Sequence, residues 1–222
     1  MQIGWLIGLS ASSIVLFFAY FFLSRANYKK RFALDYDIRN HFPYEFNYES
    51  KFTDNILGNA ALILSAAFAL GLFACAAVYN HTNGILLLSL IVGLLYSILF
   101  VVINFIPLKY LKLHLLFTVL LFAFSFVTPG AIGLASFKDY QDGNEVFSLI
   151  IFIVSMVVAF INFVLVMNPK LTLNIKMQVA KDDKGNEHYI RPKYIVIAMS
   201  EWIMIFSLFI SQILLILLLV VL

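Results

Sequence analysis

Glu201 is the residue of this chain best placed to do chemistry: a carboxylate about two turns into an otherwise apolar run, residues 195–222. An ionisable group at membrane depth is a proton or cation site, or one half of a pair with a nearby base. Lys193, Lys109, Lys112 and His114 all fall at the same end of the apolar runs and are its candidate partners. A carboxylate near a helix N-terminus is also favoured by the helix dipole. Asn104 and Asn162 lie toward that end of two other runs, and Asn59 near the start of a third. With Glu201 and His114 they form a candidate substrate or ion path; otherwise such amides hold helices together.

A second group of candidates lies between the first two apolar runs. Tyr28, Phe32 and Tyr36 recur every four residues beside Lys29, Lys30 and Arg31, which on a helix makes one aromatic stripe with basic neighbours. Such a stripe anchors a helix in the headgroup layer, or docks an anionic lipid or substrate. His41, Tyr44 and Arg191 complete the candidate interfacial or partner-binding set. His41, Glu45 and Glu49 have helical ligand spacing, but Pro43 argues against a continuous helix there. Two-metal carboxylate sites draw further Glu and His from other helices, and these apolar runs lack them. No metal and no cofactor is therefore expected. His41 and Glu45 with Asp35 and Asp37 are the set through which a membrane-interface enzyme would act on lipid head groups, if they converge.

Other chemistries find no residues. There is no G-x-S-x-G, no H-E-x-x-H and no phosphate-cradling glycine loop. A Ser–His pair for intramembrane proteolysis needs a buried His, yet His41, His81 and His188 are between apolar runs and His114 is at the end of one. The net charge is only +3, and residues 25–55 mix six basic with five acidic side chains, so no nucleic acid is expected as a partner.

The elements that must position these residues are membrane helices. The chain of 222 residues is 63% hydrophobic and 12% charged, with mean hydropathy +0.96, whereas soluble domains carry about 25% charge. In hydrocarbon every backbone N–H and C=O must be satisfied internally, so an apolar run is a helix. Residues 85–106 do not alternate as barrel strands would. Helices are predicted at about 3–24, 56–79, 84–106, 113–136, 146–167 and 195–222. Each is near or above the ~20 residues that cross a ~30 Å core. Pro107, Pro169 and Pro192 punctuate them, and Pro129 with Gly130 is expected to interrupt the last turns of the fourth. The first run has its positive cluster after the apolar stretch, which predicts a retained anchor with a translocated N-terminus.

Orientation follows from the basic residues. Segments 25–55, 107–112 and 168–194 hold fourteen of the fifteen Lys and Arg, and only Lys138 lies between the other runs. Positive residues stay in the cytoplasm, so these three loops face inward and both termini outward. In the last of them, Leu171, Leu173, Ile175, Met177 and Val179 alternate with polar residues. A turn signal follows at Asp182 to Asn186, which predicts a β-hairpin. Close helix packing is expected at Ser89, Gly93 and Ser97, at Ala67, Gly71 and Cys75, and at Ser148, Ser155, Ala159 and Asn162, with Ser207 and Ser211 marking the last helix. Cys75 is read as a small buried packing residue.

The sequence thus predicts a single all-α integral membrane domain over 1–222. It has six transmembrane helices, N-out and C-out, with a small cytoplasmic β-hairpin between helices five and six. The expected location is the cell membrane, and the expected partners are the lipid bilayer and a cytoplasmic or membrane protein. The function expected first is a non-enzymatic membrane subunit or scaffold presenting its cytoplasmic loops to a partner. The alternatives are a small solute or ion transporter using Glu201 with Asn104 and Asn162, and a membrane-interface enzyme acting on lipid head groups.

Overall fold

The computed structural model describes residues 3–47, 51–79, 84–106, 108–143, 146–168, 178–181 and 187–222. Its main elements are α1 (Ile3–Phe32), α2 (Ile56–Tyr79), α3 (Gly84–Ile103), α4 (Leu111–Gln141), α5 (Val146–Val166) and α6 (Val196–Val221). All six helices are long and apolar enough to cross a membrane. Between α5 and α6, β1 (Gln178–Lys181) and β2 (Glu187–Ile190) pair antiparallel, with Gln178 opposite Ile190. The alternation predicted over 171–177 and the turn at 182–186 lie outside the described residues.

Sequential helices pack as neighbours from α1 to α5, and α6 touches α1, α3, α4 and α5. α6 is thus a central post inside an arc of five helices. Within its most apolar window 67% of the residues are buried, against 22% for α5. This is why α6 tolerates Ser200, Glu201, Ser207, Ser211 and Gln212: all five are buried against protein rather than lipid.

Two helices outrun their predicted ends. α1 continues two turns beyond residue 24, bringing Lys29, Lys30 and Arg31 into its last turn, where cations suit the helix dipole. It stops where Ala33 takes a left-handed conformation (φ 55°). Tyr36 is therefore off the helix, and the predicted stripe is helical only through Phe32. The expected break in α4 does not occur either, for Pro129 sits inside a helix that runs on to Gln141. Proline removes the N–H that Ser125 carbonyl would have accepted. Asn162 Nδ2 on α5 supplies the missing donor at 3.0 Å. Ser89 Oγ on α3 donates to Thr128 carbonyl in the adjoining turn at 3.2 Å. A proline is tolerated inside the bundle because neighbouring helices re-satisfy the backbone.

Small residues set the close approaches. A Cβ on Gly93 would stand 2.4 Å from the ring of Phe73, so glycine is what lets α2 meet α3 there. A Cβ on Gly133 of α4 would lie 3.0 Å from Ser155 Cβ, within the predicted α5 seam. The predicted seam on α2 is corrected. Ala67 and Cys75 are exposed, and the packed face instead carries Ser65, Ala69, Leu72 and Ala76. Ala67, Gly71 and Cys75 obey the i, i+4 spacing, but the bulkier Phe73 makes the close contact with the next helix, at Gly93.

Candidate functional site

The start of α4 places His114 one turn before Thr118, so both project from the same face. α6 begins at Val196 and brings Glu201 against them in its second turn. His114 Nε2 is 3.1 Å from Glu201 Oε1, and the Thr118 hydroxyl donates to the same oxygen at 3.2 Å. His114 and Glu201 side chains are both fully inaccessible. Glu201 Oε2 has no hydrogen-bond partner among the described residues. On the other side of the ring, His114 Nδ1 lies 2.7 Å from Ile106 carbonyl. A carbonyl only accepts, so Nδ1 carries hydrogen and Nε2 is left to Glu201.

This pairing corrects the lysine alternatives for Glu201. Lys109, Lys112 and Lys193 are exposed, with Lys109 over the ring of Tyr110 and Lys193 over that of Tyr194. A long, strongly hydrated amine gains little by entering a dry bundle, whereas an imidazole can enter neutral.

Residues 33–47 fold down over this pair as a cap. Tyr44 and Phe42 stand edge-on to the His114 ring, at centroid distances of 5.5 and 6.3 Å. The cap is fastened at several points to the helices beneath. Tyr36 hydroxyl donates to Phe42 carbonyl at 2.7 Å, and Trp202 Nε1 on α6 donates to His41 carbonyl at 3.0 Å. Arg31 reaches Phe46 carbonyl at 3.2 Å, and Ile195 N–H donates to Arg39 carbonyl at 2.8 Å. Tyr36 stacks on Phe46 at 3.9 Å, and both rings adjoin Trp202. Pro43–Asn47 is a short 3-10 turn rather than a helix, as the proline spacing requires. Across its outer side Arg191 makes a two-pronged ion pair with Glu45, at 2.8 and 2.7 Å. Glu45 Oε1 also accepts the Phe42 N–H at 3.2 Å.

The titratable groups of the cap carry the marks of this packing. Burial holds His41 below its ordinary pKa and pushes the Tyr36 phenol well above its own. Burial opposes the charge of Arg191, but the Glu45 carboxylate outweighs it and raises the guanidinium. The Arg39 side chain holds the Asp37 carboxyl down at about 2.

The other predicted residues go to separate places. Tyr28 does meet Phe32, Tyr36 and His41, at 4.7, 5.3 and 5.4 Å, forming an aromatic wall under the cap. Asn104 is not beside Glu201. It accepts from Tyr20 hydroxyl at 2.5 Å, donates to Phe100 carbonyl at 2.6 Å, and its own carbonyl takes Asn47 at 3.3 Å. Asn162 is bonded to Ser125 carbonyl and to Ser207. The carboxylates of the lipid-enzyme set are each committed to a different cation: Asp35 to Lys29, Asp37 to Arg39 and Glu45 to Arg191. No group of three or more His, Cys, Asp or Glu is placed to hold a metal among the described residues.

Sequence reading overlooked Thr118, Trp202, Asp139 and Gln212. Thr118 was signalled by its i, i+4 spacing from His114. Asp139 lies in the part of α4 beyond the predicted helix end and accepts from Ser148 at 2.6 Å. Gln212 is fully buried near the reciprocal serine pair Ser13 and Ser65, and reaches Ser13 Oγ at 3.3 Å.

Six apolar spans around a buried acid–imidazole pair define the class, a multi-pass helical membrane protein. No protein-family model matches the chain, and no curated protein and no solved structure matches it.

Proposed function

We propose that this is a small ion-handling protein of the cell membrane, with Glu201 as its ion-binding carboxylate and residues 33–47 as the gate above it. The observation that carries the reading is Glu201 itself, fully buried on the central helix with one oxygen shared by His114 and Thr118 and the other without a partner among the described residues. An intramembrane carboxylate is costly to keep, and pathways for ions or protons are where it recurs. Asn104 and Asn162 serve in this reading as helix ties rather than as ion ligands. The capped end faces the cytoplasm and both termini face outward, because fourteen of the fifteen basic residues belong to that end. In this reading the segment that carries β1 and β2 belongs to the same end, where Arg191 pairs with Glu45 of the cap.

The test is flux in proteoliposomes holding the purified chain, with proton, sodium and potassium gradients imposed in turn. Glu201→Gln is expected to abolish the flux while leaving the helical circular dichroism and the elution volume unchanged. Undiminished flux in that variant would sink the reading. Orientation is checked in whole cells with Lys30→Cys and Gly143→Cys in a Cys75→Ser background. An impermeant maleimide should label the second and spare the first.

A second reading is a membrane subunit that presents its cytoplasmic loops to a protein partner. It is favoured by the Arg191–Glu45 bridge, which joins the segment before α6 to the cap and makes one composite surface of two loops. Crosslinking in native membranes followed by co-purification tests it, and a stoichiometric partner is the expected result.

A further inference from the structure

We infer that the ion taken by the Glu201–His114 pair is a proton. The inference rests on the reading of Glu201 as an ion-binding carboxylate and names its ligand.

Hard cations need oxygen. Calcium and magnesium take about six or more oxygen ligands, and alkali ions likewise replace a hydration shell with oxygens. Among the described residues, the side-chain oxygen bonded to the Glu201 carboxylate is the Thr118 hydroxyl. The other neighbour is a ring nitrogen, His114 Nε2. The wall above is formed by the aromatic rings of Phe42 and Tyr44, which stand edge-on to His114. Such a site is far short of a coordination shell, yet a proton requires a single lone pair.

Hydrogen-bond bookkeeping gives the site its capacity. Ile106 carbonyl keeps a hydrogen on His114 Nδ1, and Thr118 brings its own hydrogen to Glu201 Oε1. The line from Nε2 to Oε1 therefore has room for one proton. On the nitrogen it makes imidazolium and carboxylate; on the oxygen it makes neutral imidazole and carboxylic acid. Net charge is zero in both. A further proton has a vacant site at Oε2, the oxygen without a partner among the described residues. Loading forms one O–H bond at Oε2 and leaves a carboxylic acid beside an imidazolium, with a net charge of +1. Release breaks that bond and returns the proton to water.

The surroundings are arranged to leave this step to the pair. The charges of the cap above are paired, Asp35 with Lys29, Asp37 with Arg39 and Glu45 with Arg191, and the titratable ring of the cap that faces His114 is the Tyr44 phenol. His41 and Tyr36 are occupied within the cap, their rings 4.9 Å apart. α3 contributes Tyr96, whose hydroxyl is bonded to Met204 carbonyl, and α5 contributes no titratable group. From α1 come Tyr20, bonded to Asn104, and Arg31, bonded to Phe46 carbonyl. Oε2 is buried and the rings of Phe42 and Tyr44 cover the His114 partner of the pair, so in this inference protonation is coupled to opening of the cap.

Infrared difference spectroscopy of the purified protein in lipid, stepped between alkaline and acidic buffer, tests the assignment. The expected result is a carboxylic-acid C=O band that grows on acidification and shifts in D2O. It should be lost in Glu201→Gln, shifted in Thr118→Val, and indifferent to exchange of sodium for potassium or choline. Thr118→Val removes one donor without touching the carboxylate, so it remains informative should Glu201→Gln fail to fold. A spectrum with no such titrating band, or a band that responds to sodium or potassium, overturns the proton assignment. A Glu201-dependent sodium flux without the band would leave transport standing and the proton refuted. A titrating band without any flux would leave the proton site standing and transport refuted.

Discussion

Replacing Asn162 by alanine should cost the bundle about 2 kcal/mol, and most of that cost should depend on a proline in a different helix. Asn162 Nδ2 donates to Ser125 carbonyl at 3.0 Å and to Ser207 Oγ at 2.9 Å. Ser125 stands four residues before Pro129, so its carbonyl has no donor within α4. Interhelical hydrogen bonds in membrane proteins average about 0.6 kcal/mol each by double-mutant cycles. A buried polar group left unsatisfied costs about 1 kcal/mol at the low end of the mutational range. Two bonds and one orphaned carbonyl together come to about 2 kcal/mol.

The decisive comparison is the same substitution in a Pro129→Ala background. Alanine at 129 restores an N–H that Ser125 carbonyl can accept within the helix, so the carbonyl no longer relies on Asn162. The cost of Asn162→Ala should then fall to about 1 kcal/mol, a coupling of about 1 kcal/mol in the double-mutant cycle. Reversible unfolding in mixed micelles, followed by circular dichroism, measures all four corners. Coupling no larger than the ~0.3–0.5 kcal/mol of independent sites would refute the claim that α5 mends the helix α4 would otherwise break. It would also reopen Asn162 as a member of an ion path.

Two further outcomes concern the cap. Arg191→Ala leaves Glu45, only 8% exposed at its side chain, with a single backbone donor; the cap should loosen by about 1–2 kcal/mol, and the emission of Trp202 should move to the red. Trp5→Phe supplies a background in which Trp202 reports alone, and adding Glu45→Leu to Arg191→Ala should reverse part of the loss, since no charge is then buried unpaired. The second outcome is a pH dependence: burial lowers the native pKa of His41, so the folded cap prefers the neutral ring. That stability is present in full above the unfolded value of about 6.5 and is lost as the pH falls from there through the lowered native value. Trp202 emission should therefore shift red on acidification, and His41→Asn should flatten that part of the profile.

How much of this was legible in the sequence depends on whether one helix or several decide the outcome. The apolar runs are one-helix properties, and all six helix starts fall within two residues of their predicted positions, α4 two residues early at Leu111 and α6 one residue late at Val196. The ends of α1 and α4 were read short because Lys29 to Arg31 and Lys138 to Asp139 look like loop, although polar residues extend a helix readily once it leaves hydrocarbon. The partner of Glu201 was only partly legible: His114 stood among four candidates, and choosing it needed α4 and α6 to be set side by side. Pro129 failed for the same reason, since the donor that rescues it is on another helix. Asn104 and Asn162 were grouped with Glu201 on depth alone. Depth says nothing of azimuth, and they face Tyr20 and Ser207 instead.

The distinction between Glu201 and the other polar groups of α6 rests on what each can exchange. Ser207 and Ser211 give their hydrogens to backbone carbonyls one turn back, at 2.9 and 2.7 Å, and are consumed by the helix that bears them. Gln212 resembles Glu201 in having an oxygen with no partner among the described residues. An amide, however, neither takes up nor releases a proton near neutral pH, so its unpaired oxygen is a fixed cost rather than a site. Glu201 can change its charge, its imidazole neighbour can follow, and the cover above the pair is a loop segment rather than a membrane span. A carboxylate serving only to tie helices would gain most by filling both oxygens with donors, as Glu45 does with Arg191 and Phe42. One oxygen without a partner among the described residues, beneath a cap built of loop, is better matched to exchange than to tying helices, and it directs that exchange toward the capped end of the molecule.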